Sequence, residues 1–178
     1  MIGMEVNFSC QTSREEETES LGFLLGSFLR GGDCIALYGD LGAGKTAFSR
    51  GIAHGMGIAT PVTSPSYLLC NEYDGITPLL HMDAYFFERL ESLLAEGLPQ
   101  RFPTSILVVE WAEKMGDWLP TDRLELHLEH LEGGGRQLHF SAPAQRAREL
   151  LESLKEAQKA RKPVNPPTDS PVDPSKSQ

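Results

Sequence analysis

The sequence predicts an α/β fold, a three-layer sandwich of helices around a mainly parallel central sheet, with an antiparallel hairpin near the C-terminus. Three features predict it. Short apolar runs alternate with helical segments, the pattern of strands that need helices on both faces. One such run, Cys34-Ile35-Ala36-Leu37-Tyr38, leads through a glycine-rich loop into a helix. Leu124, Leu126 and Leu128 alternate with other residues, and Gly133-Gly134-Gly135 separates them from Leu138 and Phe140, which reads as a hairpin with one face covered.

The elements follow in order. Met4 to Cys10 suits a short strand. Ser13-Arg14-Glu15-Glu16 is a capping box that starts a helix. Its buried stripe is Leu21, Leu24, Leu25, Phe28 and Leu29, and Gly31-Gly32 is expected to end it. The acidic run from Glu15 to Glu19 lies where the helix dipole favours negative charge. After the strand Cys34 to Tyr38, a second helix runs to about His54, closed by Gly55 and Gly57. Strands are expected at Tyr67 to Tyr73, Pro78 to Met82 and Ile106 to Val109, and helices at Glu88 to Gly97 and Gln145 to Ala160. Lys162 to Gln178 holds five of the 12 prolines and no aromatic residue, too little apolar surface to offset the entropy of ordering. The expected organisation is one folded domain over 1–161 and a disordered Pro-rich tail over 162–178.

Composition narrows the function. A chain of 178 residues with 40% apolar residues can bury a single core. Its net charge of −9 argues against a protein that grips nucleic acid through its own basic face. Cys10, Cys34 and Cys70 are scattered, which suits reduced thiols rather than a disulfide framework. No secretory signal and no run of membrane-spanning length is visible, so a soluble, cytoplasmic protein is expected. His81 with Asp83, and His127 with His130, lack the further ligands that zinc needs.

Gly39-Asp40-Leu41-Gly42-Ala43-Gly44-Lys45-Thr46 fits the phosphate-loop pattern G-x-x-x-x-G-K-[ST]. The glycines permit the dihedrals that turn successive N–H groups inward, and the next helix presents its N-terminus to the anion. A lysine at position 45 reaches the β- and γ-phosphates, and the Thr46 hydroxyl can ligate Mg²⁺. Ile106-Leu107-Val108-Val109-Glu110 places a carboxylate after four apolar residues, a Walker B pattern with Glu for Asp. Asp83 follows another strand. It suits a group orienting the attacking water, one orienting a metal-bound water, or a plain N-cap for the next helix.

Taken together, these motifs resemble the TsaE family, small bacterial ATPases of tRNA threonylcarbamoyladenosine biosynthesis. The resemblance runs from about Glu15 to Phe140. It rests on the phosphate loop, on Ser64-Pro65-Ser66-Tyr67 (similar to S-P-T-[YF]), on His81-Met82-Asp83-Ala84-Tyr85 (similar to H-x-D-x-Y), on Val109-Glu110-Trp111, and on Gly135-Arg136. It implies a P-loop NTPase-like fold with ATP as ligand, held by Gly42, Ala43, Gly44, Lys45, Thr46 and Ala47. It also implies that Thr46 and Glu110 hold Mg²⁺, that Asp83 lies at the γ-phosphate, and that the Ser64 to Tyr67 loop responds to nucleotide state. Trp111 and Arg136 are placed near the nucleotide; from the residues alone, Trp111 equally suits a core edge and Arg136 a solvated hairpin charge. The implied partners are TsaB-like and TsaD-like proteins, with tRNA met only through them. Three positions depart from the family pattern: Phe86 stands where an Arg is usual, Ala47 where a Thr is usual, and Ser66 where the loop usually has Thr, which keeps the hydroxyl. The alternatives from other classes are a small-molecule P-loop kinase and a nucleotide sensor without turnover. A kinase usually carries a lid with arginines, and the segment between Tyr85 and Pro103 is not arginine-dense, which argues against the kinase.

Overall fold

The computed structural model describes residues 6–161. The expected tail, 162–178, lies outside the described residues. The described residues form seven strands, β1 (Val6–Thr12), β2 (Cys34–Tyr38), β3 (Cys70–Tyr73), β4 (Leu79–Asp83), β5 (Ile106–Glu110), β6 (Leu124–His130) and β7 (Arg136–Ala142). The α-helices are α1 (Glu15–Gly26), α2 (Lys45–Gly55), α3 (Phe87–Ala95) and α4 (Gln145–Ala160). All strands join one sheet in the order β1-β7-β6-β2-β5-β4-β3. The central four, β6, β2, β5 and β4, are parallel, and β1, β7 and β3 add antiparallel pairings at the edges.

The pleat splits the apolar residues between two cores. On one face, Ile35, Leu37, Val108 and Leu126 pack with Leu21 and Leu25 of α1, Phe48 and Ile52 of α2, and Leu150 and Leu154 of α4. On the other, Ala36, Leu80, Met82 and Val109 pack with Leu90 and Leu94 of α3 and with Met115 and Leu119. This is the expected three-layer sandwich. β2, buried from Cys34 to Leu37, reads as a continuous apolar run for this reason.

α1 and α2 approach unusually closely. A Cβ built on Gly22 or Gly26 would lie 2.3 or 2.2 Å from the carbonyl oxygens of Phe48 and Ile52, and one on Gly51 or Gly55 would lie 2.0 or 2.1 Å from those of Glu19 and Phe23. Two glycines four residues apart on each helix thus let the backbones touch. Arg146 fixes the start of α4 by donating to both carboxylate oxygens of buried Asp33, each at 2.9 Å, while Asp122 accepts the Arg146 and Ala147 N–H groups.

Several expected boundaries are corrected. α1 stops at Gly26, not at Gly31-Gly32, because the next N–H groups of Phe28 and Leu29 turn back to Leu25 and Gly26. The capping box is displaced by one residue: Arg14 occupies the cap position, and Glu17 rather than Glu16 reaches back to accept the Ser13 N–H at 2.7 Å. β3 begins at Cys70 rather than Tyr67, since Tyr67 and Leu68 face solvent and Leu69 takes a left-handed φ of 67°. Of the strand expected at Met4 to Cys10, Met4 and Glu5 lie outside the described residues, and β1 runs on to Thr12. The 3₁₀ segment Leu98–Thr104 was not expected.

Candidate active site

The loop from Gly39 to Gly44 leaves the C-terminal end of β2 and enters α2. Positive φ angles at Gly39, Gly42 and Gly44 make the wrap. β4 and β5 lie side by side, with Asp83 opposite Glu110 in register. Both carboxylates therefore leave the carboxyl ends of parallel strands beside the loop, where open α/β sheets bind ligands. A cavity of about 410 Å³ opens there. Gly42, Gly44, Lys45, Thr46 and Ala47 line it, and so do Asp83, Glu110, Trp111 and Arg136. Of the site residues expected from the sequence, only Ala43 is absent from its wall; its side chain is buried in the core.

Lys45 is folded inward. Its Nζ donates to the carbonyls of Gly39 and, at 2.8 Å, Asp40, and sits 3.9 Å from the centre of the Trp111 ring. Burial lowers its pKa from the ordinary lysine value, against the opposing pull of Glu110, Glu113, Asp83 and Asp40. Trp111 holds this position with a left-handed backbone, φ 57°, a conformation uncommon for a large residue. Tyr85 packs edge-on against it at 5.0 Å. Trp111 thus both lines the cavity and packs against the core.

Glu110 is 2% exposed. Thr46 Oγ1 donates to Oε2 at 3.0 Å and His81 Nε2 donates to Oε1 at 2.8 Å, while the one hydrogen of the Ser49 hydroxyl lies between the Lys45 carbonyl at 2.9 Å and Oε1 at 3.3 Å. Asp83 is 3% exposed. Its Oδ1 accepts the Tyr85 N–H at 2.8 Å, and its Oδ2 accepts the Ser66 hydroxyl at 2.9 Å, with the Ser64 hydroxyl 2.7 Å from Ser66 Oγ and 3.2 Å from Oδ2. It makes no cap for α3, whose cap position is Phe86. Arg136 is no solvated hairpin charge. It lies against the loop, where a Cβ on Gly44 would fall 2.7 Å from its Nε, and that buried Nε has no partner. Glu15 is 4.0 Å from its other end.

The donor set suits a magnesium nucleotide. Thr46 and Glu110 supply hard oxygens 3.0 Å apart, the ligand type Mg²⁺ takes. Lys45, Arg136 and the start of α2 line the same space, which is what polyphosphate requires.

Three participants went unread in the sequence. Ser49 lies one helical turn beyond Lys45 and shares its face, so helical spacing could have found it. Glu15 and Arg50, paired at 3.2 Å, also line the cavity; they meet only because α1 and α2 touch. Phe86, which replaces the usual Arg, is 51% exposed and outside the cavity wall.

Comparison with known proteins decides the family. The family model described as "Threonylcarbamoyl adenosine biosynthesis protein TsaE" matches residues 12–138. The chain belongs to the TsaE family. It is 38% identical over 146 residues to the tRNA threonylcarbamoyladenosine biosynthesis protein TsaE of Bacillus subtilis, covering 81% of this chain and 91% of that one. The TsaE of Treponema pallidum is 34% identical, with 72% and 96% covered. The crystal structure of Bacillus subtilis YdiB superposes with a TM-score of 0.76 at 34% identity, over 87% of this chain and 98% of that one. The residues matched to the TsaE family include the loop, both buried carboxylates and Arg136.

Proposed function

We propose that this chain binds and hydrolyses ATP as an accessory factor of tRNA N6-threonylcarbamoyladenosine modification, acting with TsaB-like and TsaD-like partners. The observation that carries the reading is the meeting of Lys45, Thr46, Asp83, Glu110 and Arg136 around one cavity at the strand ends.

In this reading the N–H groups from Gly42 to Ala47 face the phosphates, and the dipole of α2 adds to their attraction. Lys45 exchanges its carbonyl acceptors at Gly39 and Asp40 for phosphate oxygens. Arg136, which lines the cavity, directs its guanidinium to the same anion, as a cation supplied in cis. Thr46 and Glu110 would hold Mg²⁺, whose charge neutralises the β- and γ-oxygens when bound. Asp83 orients the attacking water through Oδ2, the oxygen now occupied by Ser64 and Ser66. Displacing that loop frees the carboxylate, so a partner that moves the loop would accelerate turnover. Hydrolysis by the isolated chain is accordingly slow.

The test is incubation with labelled ATP, with and without the partner pair. Free phosphate, faster with the partners, is the expected product. A phosphorylated small molecule would make the chain a kinase, and no product in either case would leave it a nucleotide sensor; either result overturns the proposal.

A further inference from the structure

His81 is wholly buried in β4, beneath the cavity and outside its wall. Leu79, His81 and Asp83 alternate onto the sheet face that α2 covers. The ring makes one polar contact, Nε2 to Glu110 Oε1 at 2.8 Å, and its buried Nδ1 has no partner. A side chain kept only for packing would be apolar here, as Leu79, Leu80 and Met82 are. The histidine leaves one nitrogen unsatisfied and gains a hold on one carboxylate oxygen.

We infer that His81 is a positioning residue that fixes the Glu110 rotamer so that Oε2 alone is presented beside Thr46. Its hold falls on Oε1, while Oε2 is shared with the Thr46 hydroxyl. A carboxylate accepts, so Nε2 carries the hydrogen. In a neutral ring this leaves a buried lone pair on Nδ1 rather than an unpaired N–H, the smaller deficit. Outer partners of this kind commonly set metal affinity by 10- to 100-fold. The inference rests on the proposed magnesium-nucleotide reading and adds to it the residue that orients the metal's carboxylate.

The experiment is isothermal titration of ADP into the full-length chain over a series of Mg²⁺ concentrations, for the wild type, His81→Leu and His81→Gln. In His81→Leu the Mg²⁺ concentration for half-maximal enhancement of ADP binding should rise about tenfold or more, with metal-free ADP affinity unchanged. His81→Gln, which can return an N–H donor, should recover most of the shift. Coincident Mg²⁺ curves for wild type and His81→Leu would overturn the inference while leaving the nucleotide reading intact. A wild type whose ADP binding ignores Mg²⁺ would defeat the metal reading itself, and this inference with it. A loss of metal-free affinity equal to the loss with metal would assign His81 a merely structural role. Should His81→Leu fail to fold, ¹⁵N spectra of the unliganded wild type decide: the inference requires a hydrogen on Nε2, and a ring without one there overturns it.

Discussion

Gly51→Ala should destabilise the protein, although alanine is the better helix former. The new Cβ would lie 2.0 Å from the Glu19 carbonyl oxygen, 2.8 Å from its carbon and 2.9 Å from the Phe23 nitrogen. All three are backbone atoms, so no side chain can swing away. Ordinary contact requires α2 to retreat from α1 by about 1.4 Å. Overpacking of this kind costs roughly 1–3 kcal/mol. The retreat also loosens buried Leu21, Leu25, Phe48 and Ile52, and a gap of ~0.5–1 Å forfeits a quarter to a half of each dispersion contact. Against this, Gly→Ala in a helix interior returns about 1 kcal/mol. The net loss is up to about 2 kcal/mol, which at ~2–4 °C per kcal/mol for a chain of this size lowers Tm by up to roughly 8 °C. Thermal and urea unfolding followed by circular dichroism would measure it. An unchanged or raised Tm would mean that the helices are not in backbone contact and that only propensity operates at this site.

The remaining predictions concern the cavity and the thiols. Asp83→Asn should retain ATP binding and lose turnover, read by titration and phosphate release on one preparation; normal turnover would remove Asp83 from the chemistry. Glu110→Gln should raise the Mg²⁺ concentration needed for tight nucleotide binding, and an unshifted Mg²⁺ curve would contradict its role as a ligand. Arg136→Ala should weaken ATP binding by about tenfold or more, the value of a charge-assisted hydrogen bond of ~1.5–3 kcal/mol; an unchanged Kd would place the guanidinium away from the phosphates. Burial pushes the Cys34 and Cys70 thiols up to about 12 and raises that of Cys10 as well. Thiolate is the reactive form and is scarce below the raised pKa, so native protein at pH 8 should alkylate far more slowly than urea-unfolded protein. Mass spectrometry of iodoacetamide adducts checks this, and equal rates would refute it.

The parts of the fold legible in the sequence are those that local chemistry dictates. β2, the loop and α2 were readable because a doubly buried strand, a fixed glycine spacing and a helix start leave few alternatives. β6 and β7 were readable because Leu124, Leu126 and Leu128 alternate up to a triple-glycine turn. The end of α1 was not, because Phe28 and Leu29 continue the apolar spacing, and what stops the helix is the local turn after Gly26. The start of β3 was misplaced because exposed Tyr67 and Leu68 have the composition of a strand but belong to a loop on the far side of Leu69. Within the site, the side chains carried by motifs converged, whereas the contacts of Ser64 and Ser66 with Asp83, and of His81 and Ser49 with Glu110, depend on strand register and helix placement. No local pattern encodes those distances.

The central claim is that the cavity is an ATP site built around Lys45. Thermal shift with ATP and Mg²⁺, wild type against Lys45→Ala, tests it most directly. At ligand near 100 times Kd the wild type should gain about 2.7 kcal/mol, or several degrees in Tm. Lys45→Ala, folded but without the cation facing the phosphates, should show almost no shift at the same ATP concentration. Equal shifts in both proteins, or none in the wild type at millimolar ATP, would contradict the account.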